Sequence, residues 1–121
     1  MMTLYCYPKC TTCRGAAKWL NDHDFTYEYI DIKQAPPSAE ELKRLHTLSG
    51  LPLSRFFNTS GNSYRALGLA GRLAEIEADK LYQMLSEDGM LIKRPLLVTA
   101  EQVLVGFKPD DWANRLLGDE S

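Results

Sequence analysis

An α/β fold built on a mixed four-stranded sheet follows from three observations. The chain opens with an apolar run, a helical stretch and a second alternating run within about 30 residues, the size of a strand–helix–strand unit. Its last third carries two short β-branched runs joined by a tight connection, then a helix. Between them lies a helical block without strand patterning. The order is therefore β-α-β, helical insertion, β-β-α.

Each element has a local reason. Thr3-Leu4-Tyr5-Cys6-Tyr7 is β-prone and Pro8 stops it. Thr11 or Thr12 can cap a helix whose apolar stripe is Ala16, Ala17, Trp19 and Leu20. Asn21 to Asp24 is the turn out. Phe25 to Ile32 alternates as a strand, and Ile30 and Ile32 hint that both faces are covered. Pro36-Pro37 ends it. The insertion, about 38–87, starts with the capping box Ser38-Ala39-Glu40-Glu41, and Leu42, Leu45 and Leu48 continue one helical face to a closing Gly50. Leu51 to Leu69 reads as short helices around the polar turn Asn58-Thr59-Ser60-Gly61-Asn62. Glu75 to Leu85 reads as a helix packed through Ile76, Leu81, Met84 and Leu85, ended by Asp88-Gly89. Pro95 to Thr99 and Gln102 to Gly106 are hairpin partners across Ala100-Glu101. Pro109 suits the first turn of a last helix, Asp110 to Leu117, packed through Trp112, Leu116 and Leu117. With no repeat and no linker composition, residues 1–121 are expected to form one domain, in the thioredoxin-like arrangement with a helical insertion.

Composition narrows the function classes. With 14 Lys and Arg against 16 Asp and Glu, the formal charge is −2. That gives no electrostatic case for direct nucleic-acid or membrane-surface binding. No stretch reaches the roughly 18 apolar residues of a membrane span. Met1 to Tyr7 lacks the basic front and apolar middle of a signal peptide, so a cytoplasmic location is expected. Three cysteines there suggest chemistry or chance rather than a disulfide scaffold.

Cys10-Thr11-Thr12-Cys13 is a C-x-x-C between the first strand and the first helix. Cys10 falls just before the helix N-terminus, where unpaired N–H groups and the helix dipole stabilise a thiolate. Lys9 and Arg14 add positive charge. Cys13, about one turn on, is close enough to resolve a mixed disulfide formed at Cys10. Half of a zinc site and a chance pair are the alternative readings. No second pair accompanies it, and Cys6, His23 and His46 offer no ligand spacing, so no metal is expected. Cys6 reads as a small buried hydrophobe, and His23 and His46 as surface residues. Lys93-Arg94-Pro95 stands at the entrance of the third strand. In a thioredoxin-like fold that proline faces the C-x-x-C, and Arg94 would direct a guanidinium fork at the thiolate or at an oxyanion.

Four segments, in order, resemble the arsenate reductase ArsC/Spx/MgsR family: Tyr7-Pro8-Lys9-Cys10-Thr11-Thr12-Cys13-Arg14, Phe56 to Gly61, Tyr64 to Leu69, and Leu91 to Val98. The resemblance runs from Thr3 to about Leu117. It implies Cys10 as the redox-active residue and no organic cofactor. Arsenate is the named family substrate, with glutathione and glutaredoxin or thioredoxin as reductant. It also implies an oxyanion pocket of three arginines, of which Arg94 matches one. Asn58 and Lys108 stand at the other two positions, losing the charge in one case and the bidentate fork in the other. Cys13 stands where such reductases have a small hydroxyl residue, which suits a protein that closes its own disulfide. The expected site is therefore Cys10, Cys13 and Arg94, with Thr11, Thr12, Arg14, Asn58, Pro95 and Lys108 around a small oxyanion or a protein disulfide. The Spx branch implies a different role, redox-dependent binding of the RNA polymerase α subunit. Gly50 matches a contact glycine there, but reads first as a helix cap. The acidic ending Gly118-Asp119-Glu120-Ser121 is unlike the longer basic tails typical of those regulators.

Overall fold

A computed structural model describes residues 2–118, so the acidic ending from 119 onward lies outside the described residues. The elements are β1 (Met2–Cys6), α1 (Thr11–Asp22), β2 (Tyr27–Asp31), α2 (Ala39–Ser49), α3 (Asn62–Ala66), α4 (Ala78–Glu87), β3 (Leu96–Val98), β4 (Val103–Val105) and α5 (Pro109–Leu116). Single 3-10 turns at Leu53–Phe56, Leu73–Glu75 and Gly89–Leu91 stitch the insertion together.

The four strands form one mixed sheet in the order β2-β1-β3-β4. β1 runs parallel to β2 and antiparallel to β3, and β3 and β4 form the hairpin. The register aligns Leu4, Leu97 and Leu104 across the three strands β1, β3 and β4. Because side chains alternate across a strand, this row points to one face. There it meets Cys13, Ala16 and Leu20 of α1 and Trp112 of α5. The opposite face, with Leu96, Val98 and Val103, packs on the insertion through Leu42, Leu45, Phe56, Leu81 and Leu85. Both faces of the centre are thus buried, which explains why the β3 sequence is apolar without alternation. The arrangement is the expected β-α-β, helices, β-β-α.

Several boundaries differ from the sequence expectation, each for a local reason. α1 is capped by Cys10 itself, whose side chain makes no capping bond, and not by a threonine. Phe25 is not in β2: Asp24 turns with φ 60°, and the Phe25 amide still donates to Leu20 O of α1. The α4 helix starts at Ala78, because Ile76 ends a 3-10 turn in extended conformation. Leu117 is 47% exposed rather than packed. His46 is half-buried, its Nδ1 2.7 Å from the Tyr82 hydroxyl, so it is not a free surface residue. Cys6 is fully buried, as expected. The α2 caps are also those read from sequence: Ser38 Oγ accepts from the Glu41 amide at 3.0 Å, and Gly50 ends the helix at φ 70°.

Candidate active site

The thiol end of the sheet is built from three segments. The first is the loop from β1 into α1. Pro8 cannot continue the strand, and the Cys10 amide turns back to Tyr7 O at 2.9 Å. Cys10 is therefore the residue from which α1 departs, and it is only partly buried. The first turn of α1 contains no acidic residue, so nothing in the helix competes for its free N–H groups.

One turn on, Cys13 points inward. It is 1% exposed, and the Tyr7 amide approaches its Sγ at 3.4 Å. Cys6 lies beneath, its thiol 3.9 Å from Cys13 O. Contact with the Cys6 thiol lowers Cys13 to about 6, helped by the Tyr7 amide, the Cys10 side chain and the Arg94 charge, against the opposing effect of burial. The same contact, with burial, pushes Cys6 well up. Of the two neighbours, Cys13 is the thiol whose anionic form is favoured and Cys6 the one whose neutral form is favoured.

The second segment is residues 90–94. The Asp88 carboxylate accepts from the Met90 amide at 2.9 Å. Gly89 is required there, because a Cβ would lie 1.8 Å from Ile32 O. Arg94 then folds back on its own chain. Its Nη1 donates to Met90 O at 3.3 Å and Ile92 O at 3.2 Å, and its guanidinium lies 5.7 Å from the Tyr7 ring centroid. Its Nε–H is buried without a partner. A buried donor without a partner costs on the order of 1–3 kcal/mol, and an acceptor brought in beside it would recover that cost. The Arg94–Pro95 peptide bond is cis.

The third segment is the polar turn after Phe57. The Asn58 amide donates to Leu91 O and the Lys93 amide to Phe56 O, each at 2.8 Å, which straps the insertion onto residues 91–93. Ser60 Oγ donates to Asn58 Oδ1 at 3.4 Å. A Cβ at Gly61 would lie 2.6 Å from Asn58 Nδ2, so a side chain there would displace the Asn58 amide.

These segments enclose a cleft of about 560 Å³, with Cys10 and Thr12 on one wall, Met90, Lys93 and Arg94 on the second, and Asn58 and Ser60 to Ser63 on the third. Of the residues expected at the site, Cys10, Thr12, Asn58 and Arg94 line the cleft, with Cys13 directly behind. Four do not. Thr11 faces solvent on the first turn of α1. The Arg14 Nε donates to Pro8 O at 3.0 Å, bracing the loop rather than facing the cleft. Pro95 is buried, its carbonyl accepting from the Gly106 amide at 2.9 Å. Lys108 precedes α5 and lines a separate cavity of about 440 Å³ with Arg55, Asp111 and Arg115. Sequence reasoning did not assign Ser60, Asn62, Ser63, Met90 or Lys93 to the cleft. The polar run 58–63 was the available signal, and only its folding onto residues 91–93 turns it into a wall. Among the described residues, no three His, Cys, Asp or Glu side chains are grouped to hold a metal ion. No helix among them is long and apolar enough to cross a membrane.

The ArsC family model matches residues 5–114, the whole span that carries this cleft. The chain belongs to the ArsC family. Among its relatives, the uncharacterized protein YusI of Bacillus subtilis (strain 168) is 51% identical over 111 residues, 92% of this chain and 94% of that one. The global transcriptional regulator Spx of Listeria monocytogenes (strain EGD-e) is 27% identical over 92% of this chain and 83% of its own. Among solved structures, an ArsC family related protein from Bacteroides fragilis superposes with a TM-score of 0.89 at 42% identity, covering 93% of this chain and 95% of that one. A possible arsenate reductase from Streptococcus mutans UA159 has a TM-score of 0.84 at 49% identity, covering 89% and 92%.

Proposed function

We propose that this ArsC-family chain is a thiol–disulfide oxidoreductase in which Cys10 attacks and Cys13 resolves. The observation that carries the reading is the stacking of the two thiols, Cys10 open to the cleft and Cys13 buried behind it with a lowered titration point. A Cys10 thiolate attacks one sulfur of a substrate disulfide, a Cys10–substrate bond forms, and the other half leaves as a thiolate. The Cys13 thiolate then attacks Cys10 Sγ, the Cys10–Cys13 bond forms, and the second half leaves. The substrate gains two electrons and the protein is left oxidised. Glutaredoxin, thioredoxin or glutathione would return it to the dithiol. Arg94 supplies positive charge beside the developing thiolates, and the free N–H groups of α1 add to it.

The family resemblance also supports arsenate as oxidant, with glutathione and glutaredoxin as donors, and Arg94 and Thr12 facing the oxyanion. The reading is tested by turnover with each oxidant under a thioredoxin or glutaredoxin couple. The expected result is activity lost in both Cys10→Ser and Cys13→Ser. Full activity in Cys13→Ser would remove the resolving role.

A second reading rests on the Spx-named relatives: a redox-sensing regulator that contacts the RNA polymerase α subunit. Gly50, the residue matched to that contact, is exposed, and a side chain there would meet nothing within 4 Å. Its φ of 70° already accounts for a glycine as helix terminator. A pull-down with the α subunit in both redox states tests it, and no retention in either ends it.

A further inference from the structure

We infer that the cleft takes a small organic disulfide carrying a carboxylate near its sulfur, rather than a bare inorganic oxyanion; the inference rests on the thiol chemistry proposed above. Three observations on the cleft converge. Its charge is one-sided: Lys93 and Arg94 lie on one wall, and no acidic residue is among the described residues that line it. The buried, unpartnered Nε–H of Arg94 belongs to that same wall. The facing wall, Asn58 with Ser60 to Ser63, is neutral and rich in amide and hydroxyl groups.

A small inorganic oxyanion such as arsenate, a mono- and dianion near neutral pH, is best held by several cations converging on it. Here the third candidate cation, Lys108, faces another cavity, and Asn58 holds its carbonyl against Ser60. The volume points the same way. At about 560 Å³ the cleft lies within the roughly 300–1,000 Å³ typical of sites for organic ligands. A disulfide presented to Cys10 would place one carboxylate against Lys93 and Arg94. The rest of the molecule would lie on the amide and hydroxyl wall, with Met90 providing the apolar contact for its methylenes. The chemistry is the first exchange step: a Cys10–S bond forms, the substrate S–S bond breaks, and the leaving half departs as a thiolate.

The test uses two disulfides of similar size that differ in charge, 3,3′-dithiodipropionate and 2-hydroxyethyl disulfide. Cys13→Ser traps the mixed disulfide at Cys10, and mass spectrometry follows its rate of formation. Each rate is divided by that of mercaptoethanol with the same disulfide, which removes intrinsic reactivity. The expected result is a preference of roughly five- to tenfold for the dicarboxylate, diminished by Lys93→Gln and by Arg94→Gln, and unchanged by Lys108→Gln. Arsenate should slow the reaction only at concentrations well above that of the disulfide. No preference beyond mercaptoethanol, a preference indifferent to Lys93 and Arg94, or arsenate competing as well as the dicarboxylate overturns the inference. Diamide oxidation of the wild type is run beside it. If diamide closes Cys10–Cys13 but neither small disulfide reacts, the substrate class is wrong and the thiol chemistry stands. If the preference appears but diamide closes no disulfide, the resolving reading is wrong and the substrate class stands.

Discussion

Gly89→Ala tests the packing that holds the Arg94 wall in place. Gly89 opens the 3-10 turn before β3 and is buried. An added Cβ would lie 1.8 Å from Ile32 O and 2.7 Å from Ile32 C. Real Cβ contacts essentially never fall under 3.0 Å, so the two backbones must separate by more than an ångström. The obstacle is a backbone carbonyl of a residue at 0% exposure, not a side chain that can rotate away. Overpacking of this kind costs about 3 kcal/mol or more. At the usual unfolding entropy for a chain of this length, that lowers Tm by roughly 10 °C or more. Gly50→Ala is the control. It leaves open space around the new Cβ and carries only the strain of φ 70°, worth about 1 kcal/mol. Both are measured by thermal and urea denaturation of the reduced protein. Gly89→Ala should also loosen Met90 O, which accepts from Arg94 Nη1. If Gly89→Ala costs no more than Gly50→Ala, the close approach of these two segments is wrong.

Three other outcomes are expected. The lowering of Cys13 from 9.0 to about 6 means the unfolded chain binds more protons between those values, so this group's contribution to stability is complete above pH 9 and is lost as pH falls through 6. The stability gap between reduced wild type and Cys13→Ser should therefore widen from pH 6 to 9, and a constant gap would contradict it. Ser38→Ala removes the bond to the Glu41 amide and should cost about 1 kcal/mol, read from urea midpoints. Brief iodoacetamide treatment of the native protein should label Cys10 well ahead of Cys6 and Cys13, which are 0% and 1% exposed. Equal labelling would place the buried thiols wrongly.

Elements whose cause is local were legible from sequence. The capping box at Ser38 and the helix-ending Gly50 are written in adjacent residues, and both act as read. The Pro95–Thr99 run is a strand as expected, and its burial between two packed clusters explains why it does not alternate, whereas β2, expected to be covered on both faces through Ile30 and Ile32, is an edge strand with Tyr29 43% exposed. The position of the C-x-x-C between β1 and α1 was equally plain. What depended on distant contacts was not legible. Lys108 matched a family position by its place in the chain, yet the departure of α5 puts it beside Arg55 and Arg115 instead of Cys10. Arg14 has the right charge and the wrong direction, because Pro8 O captures it. The wall formed by residues 58–63 exists only because Asn58 and Lys93 exchange backbone bonds with residues 91 and 56. From sequence Cys6 reads as a small buried hydrophobe. Its burial is as expected, but its contact with Cys13 gives that thiol a partner that only the β1–α1 packing reveals.

The proposed redox couple is Cys10 with Cys13, while Cys6 stays a thiol. Lys9 and Arg14 bracket the motif, so trypsin releases Cys10 to Arg14 as one short peptide, separate from the Cys6 peptide. The protein is oxidised with one equivalent of diamide, its free thiols are capped under denaturing conditions, and it is digested without reduction. The Cys10–Arg14 peptide is expected two hydrogens lighter and uncapped, with Cys6 capped on its own peptide. A disulfide joining the Cys6 peptide to Cys10–Arg14, or a Cys10–Arg14 peptide capped at both thiols, would contradict it.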